Sequence, residues 1–190
     1  MRVKWRNLLA VFVLALPFSR ALADDYADTI NVFRKAGESS QYFSKSYGYA
    51  VFPTIGKGGF VVGGAHGKGR VYAKGAPVGE SSMTQLTVGA QLGGQAYSQI
   101  IFFEDKRAFD EFTSGNFEFS AQATAVAITA GASAQAGTTG ASAGASGTQS
   151  VAKTKARYYR GMAVFTVAKG GLMYEASVGG QKFSYAPLKK

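Results

Sequence analysis

From Asp24 onward the apolar residues Tyr26, Ile30 and Phe33 recur at intervals of four and three, the spacing that gathers them on one helical face. Asp24 or Asp25 supplies a cap and Gly37 a stop. A second short amphipathic piece is predicted over Ser39–Lys45, carrying Tyr42 and Phe43. At Tyr47 the pattern changes to short runs of Gly, Val, Phe and Tyr. These predict strands at Tyr49–Phe52, Phe60–Gly64 and Gly69–Ala73, parted by glycine bends at Gly58-Gly59 and Gly63-Gly64. Pro53 lacks an amide donor and is expected to end the first strand or hold it at an edge.

Met83–Val88 and Gly89–Phe103 continue in the same style, the second long enough to need a bulge at Gly93-Gly94. Asp105–Phe112 reads as a short helix capped by Asp105, with Phe109 and Phe112 on one face. Phe117–Ile128 alternates with period two and predicts a strand whose alanine face lies close to something packed against it. Residues 131–150 hold only small and polar side chains and read as a flexible Gly/Ala/Ser-rich loop. Tyr158–Val167 and Leu172–Tyr185 complete the strands. Helix at the N-terminal end, one short mid-chain helix and strand elsewhere imply an α+β single domain, a mostly antiparallel curved sheet or partial barrel.

One stretch occurs twice. Ala50–Gly64 and Ala163–Ser177 each run from Ala-Val-Phe through a short bridge to Lys-Gly-Gly and a further apolar run, the first bridge being longer by one residue. The recurrence predicts two equivalent strand–turn–strand units with one glycine of each pair at positive φ, so that Gly58→Val and Gly170→Val are both expected to destabilise.

The N-terminus changes the charge picture. A basic start, the apolar run Leu8–Leu16 and Ala21-Leu22-Ala23 form a secretory signal pattern, which assigns residues 1–23 to a signal peptide cleaved near Ala23 and 24–190 to the domain. Arg2, Lys4, Arg6 and Arg20 leave with it, and of 21 basic and 11 acidic side chains 17 and 11 remain, taking the net charge from +10 to +6. The expected location is periplasmic or secreted, free or peripheral on a membrane. There is no cysteine, so stability rests on a packed core without disulfides.

Catalytic chemistry finds little support. The single histidine, His66, has no neighbouring metal-ligand partner in sequence and reads as an exposed turn residue. Glu104-Asp105 and Asp110-Glu111 fit a solvated helix face. The glycines of Gly63–Gly69 lack phosphate-loop spacing, and no nucleophile elbow occurs. No catalytic residue, metal site or cofactor is assigned. No nucleic-acid reader motif appears either.

The segments Tyr49–Tyr72, Leu86–Asp105 and Tyr158–Phe183 together resemble the SYLF domain family. The likeness runs roughly from Gln41 to Leu188 and is carried by Pro53–Gly59, Gly89–Gly94 and the second Lys-Gly-Gly. Where relatives often have a Trp-Ser-x-Pro-like segment, this chain has Gly79–Gln85 without tryptophan. The resemblance implies a non-enzymatic lipid-binding module, described in fungi as an actin-binding domain; actin is not carried over to an exported chain. The expected partner is an anionic phospholipid or phosphoinositide-like membrane surface. A structural or interaction role toward a protein partner of the envelope is the alternative. Lys57 and Lys169, matching residues of the repeats, with Lys68 and Arg70 nearby, form the candidate lipid- or anion-binding set if they face one surface.

Overall fold

The computed structural model describes residues 19–59, 62–88, 95–120, 123–128, 157–169 and 178–189. The amphipathic N-terminal segment is helix α1 (Ser19–Lys35), followed by the single turns α2 (Gly37–Ser40) and α3 (Tyr42–Lys45). Phe33, Ala36 and Tyr42 are buried against one face of a sheet, with Tyr26, Ile30 and Phe43 packed alongside. The apolar stripe of α1 is thus part of the core and is not presented for burial in a lipid interface.

The strands are β1 (Gly48–Gly59), β2 (Val62–Ala73), β3 (Ala76–Val88), β4 (Gln95–Phe103), β5 (Phe117–Glu118), β6 (Val126–Ile128), β7 (Met162–Lys169) and β8 (Gln181–Pro187). They form one sheet in the order β5-β8-β3-β2-β1-β4-β7-β6, antiparallel except where β6 joins β7. The sheet curls into a half-barrel, the α+β single domain that the pattern implied.

The curl has a covalent cause. β5 and β6 lie on opposite edges, yet only residues 119–125 separate them. Eight flat strands would set those edges about 34 Å apart, whereas the link reaches at most about 27 Å even if fully extended. The segment expected to be one alternating strand is therefore split, with two residues on one edge, three on the other and a strap between. Phe119 and Ala123 of the strap are buried, and Phe119 N and Ala123 O are bonded to Gln181 O and Val178 N. The close packing expected of its alanine face holds for Ala123.

Glycines behave differently from expectation in β1 and β2. The three short strands and their glycine bends are two continuous twelve-residue strands, in which Gly58 pairs with Gly64 and Gly56 with His66. Inside the curl there is no room for side chains: a Cβ on Gly67 would lie 2.6 Å from Ile55 Cγ1, and one on Gly69 would lie 2.5 Å from the Phe52 ring. Pro53 neither ends β1 nor marks an edge, because the β1 register shifts between Val51 and Thr54 and the proline sits in that bulge. The Gly93-Gly94 bulge, residues 131–150 and Gly170 lie outside the described residues.

The mid-chain helix α4 (Lys106–Phe112) is capped as expected, with Asp105 accepting from Ala108 N at 2.8 Å. It drops Phe112 onto Phe103 and Phe183 in the concave core. Asp105→Ala should cost about 1 kcal/mol, read as faster amide exchange in the first turn of α4; unchanged exchange there would show that the cap is idle.

Candidate functional site

Of the four residues singled out by sequence, the sheet gathers two on one open surface. Lys68 pairs across the ladder with Thr54 and is exposed on the convex face. Lys169, at the end of β7, reaches across β4 and donates from Nζ to Thr54 Oγ1 at 2.8 Å. Arg70 lies on the same face but beneath α1, with its guanidinium 4.4 Å from the Tyr26 ring centre and its Nε buried. That contact fastens the helix to the sheet and uses the charge internally. Lys57 is half-buried on the opposite, concave side, directly across from the core residue Ala65.

The two repeats explain this division. Both enter strands that flank β4, but β4 sets them one residue apart: Ile101 lies opposite Ala50 on one side and Val164 on the other. A one-residue offset turns every side chain to the other face. Ala50 and Phe52 accordingly enter the concave core, while Ala163 and Phe165 pack under the helices. The extra residue of the first bridge is absorbed by the Pro53 bulge, so each lysine keeps the face of its own Ala and Phe. Gly58 is in extended strand with open space around its Cβ position, so the shared positive-φ turn does not occur there. Gly63-Gly64 lies within β2, whereas Gly179-Gly180 is a true turn with Gly180 at φ 73°.

The exposed convex surface is built in three cross-strand rows: Gly58–Gly64–Leu86, Gly56–His66–Thr84–Lys182 and Thr54–Lys68–Ser82–Ser184. His66 is on a strand, not in a turn. Lys169 borders the third row. Two carboxylates border these rows among the described residues: Glu118, 3.6 Å from Lys182 Nζ on the far strand, and Glu80, one row on and opposite Arg70. Four strands and three rows span about 14 Å each way. Three glycines leave the backbone bare, and the cations stand on a floor of small polar side chains. The glycines contribute by low relief and do not curl into an anion cradle.

Sequence reasoning missed Lys182 and Leu86. His66, Lys68 and Arg70 alternate, so their common face was readable once Gly63–Gly69 is treated as strand. Lys182 joins them only through the β3–β8 register, which no local signal reveals.

A second polar group lies inside the curl. Gln99 Nε2 donates to Gln181 Oε1 at 2.9 Å, and Gln181 Nε2 donates to Gln99 Oε1 at 3.2 Å and to Tyr97 Oη at 3.1 Å. Burial pushes the Tyr97 phenol far above its ordinary pKa, against the opposing effect of the Gln181 hydrogen bond. Thr166, directly opposite Gln99, has a buried hydroxyl with no partner among the described residues. These neutral groups offer no activated nucleophile or general base; they hold opposite walls of the curl together. Among the described residues there is also no cluster of His, Asp and Glu that could hold a metal.

A family model described as Ysc84, Las17-binding protein actin regulator, matches residues 84–186. Beta cell expansion factor A of Aeromonas veronii is 29% identical over 176 residues, covering 87% of this chain. The chain spans 56% of that relative's length.

Proposed function

Because the chain belongs to the Ysc84, or SYLF, family, whose members are binding modules rather than enzymes, we propose that it is an exported, non-enzymatic module that docks on anionic lipid surfaces of the cell envelope. The observation that carries this reading is the convex patch, where Lys68, Lys169 and Lys182 stand over a glycine-floored, open part of the sheet. Each basic side chain near an anionic membrane contributes about 1 kcal/mol, decaying over a Debye length of about 8–10 Å. A periplasmic or secreted location follows from the signal pattern of residues 1–23. The ligand class is the phosphate-bearing headgroup; lipid identity enters only through charge.

Flotation with phosphatidylcholine–phosphatidylglycerol vesicles tests the assignment. The parent should float and be released by high salt, and Lys68→Glu with Lys169→Glu should lower binding at least tenfold, about 1.4 kcal/mol or more. Lys57→Glu should leave flotation near the parent's level, since that lysine is on the other face. Equal flotation by the double variant would remove the patch as the site. Absence of any flotation by the parent would turn the reading toward a protein partner, the class named in the family's description.

A further inference from the structure

Toward the outer end of the patch lies the row Gly58–Gly64–Leu86, with the Val62–Val88 pair beyond it. Leu86 is 84% exposed, the most of any large hydrophobic side chain among the described residues, with Tyr159 next at 48%. Inward along its row the backbone is bare: Gly64 is its ladder partner, and a Cβ at Gly58 would meet nothing within 4 Å. One strand position inward stand Thr84 and His66, and beyond them the cationic row containing Lys68. An exposed leucine beside bare backbone and backed by positive charge has the layout of an interfacial anchor: the cations meet phosphates while the apolar tip passes between headgroups.

We propose that Leu86 inserts into the interfacial region of an anionic bilayer and is the apolar anchor of the docking face. The proposal rests on the lipid reading above and adds to it a fixed orientation, with the Leu86 end of β3 pointing into the membrane and α4, at the other end of the sheet, away from it. Charge complementarity selects a lipid surface over an apolar protein groove, because Lys68, Lys169 and Lys182 share the face from which Leu86 projects. Exposure of the side chain means that changing it does not remove core packing.

The absence of cysteine allows one reporter at a chosen site. Leu86→Cys, carrying a nitrobenzoxadiazole label, should brighten severalfold and shift to the blue on phosphatidylcholine–phosphatidylglycerol vesicles, with quenching by shallow spin-labelled lipid. The same label at Ser114→Cys, exposed just after α4, should respond to neither. Leu86→Ala should bind roughly three- to tenfold more weakly by flotation, because most of the apolar area offered to the interface is gone, while keeping the parent's thermal midpoint. Flotation of the labelled protein without a change at position 86 would overturn insertion and leave the lipid reading standing. No flotation by the parent would overturn both. A blue shift that tracks protein concentration in the absence of vesicles would assign Leu86 to self-association and overturn insertion.

Discussion

Gly67→Val is expected to lower the thermal midpoint by about 6–12 °C, whereas Gly58→Val should leave it within about 2 °C. Both glycines belong to the same antiparallel pair of strands, yet their surroundings differ. A Cβ on Gly67 would sit 2.6 Å from Ile55 Cγ1 and 2.9 Å from Thr54 O, the second of which is backbone and cannot rotate away. Ile55 is itself fully buried, so yielding to the new side chain displaces the concave core. Overpacking of this kind costs roughly 1–3 kcal/mol and more where backbone must move, and about 3 kcal/mol translates to the stated shift at 2–4 °C per kcal/mol for a domain of this size. At Gly58 the Cβ position is open and the backbone extended, so the β-branched side chain fits a strand that already favours it. Similar losses in both variants, by calorimetry, would refute the distinction between packed and open glycines.

The second large effect concerns the paired amides. Gln99→Leu should cost about 2–3 kcal/mol in urea unfolding, because Gln181 is left wholly buried with its carbonyl oxygen unpaired. Gln181→Leu should cost at least as much, since Tyr97 loses its donor as well. The double leucine variant should cost no more than either single one, because replacing both partners removes the orphan along with the bond. The coupling expected from the cycle is about 2 kcal/mol. Additive losses would show that each glutamine acts through its own packing, not through the bond they share.

Local patterns were legible in proportion to how locally they are determined. The α1 stripe follows from a period of 3.6, and the Asp105 cap of α4 from a residue type with one strong local use. Glycine was ambiguous. The same residue that opens a turn at Gly180 makes room for Ile55 at Gly67, and composition alone does not separate the two uses. The candidate site suffered from a parity problem. Lys57 and Lys169 occupy matching places in similar sequences, but the one-residue offset across β4 sends them to opposite faces. Arg70 shares a face with Lys68 by strand alternation, yet its engagement with Tyr26 depends on where α1 comes to rest. Lys182 needed the strand order, because its ladder partner Thr84 lies roughly a hundred residues away, and Leu86 needed the β2–β3 register that sets it opposite Gly64.

That strand order also imposes a timetable. β1, β2, β3 and β4 neighbour one another within residues 48–103, joined by short connections, so four strands can condense early at small entropic cost. β8 must then travel back across almost a hundred residues to seat between β3 and β5, bringing Phe183 to Phe52, Phe112 and Phe117. Until it arrives, the exposed edge of β3 and those rings have no cover. Folding should therefore be slow for the chain's length, with an early kernel whose amides gain exchange protection before those of β8. A chain that waits in this open condition offers chaperones a long-lived strand edge to hold.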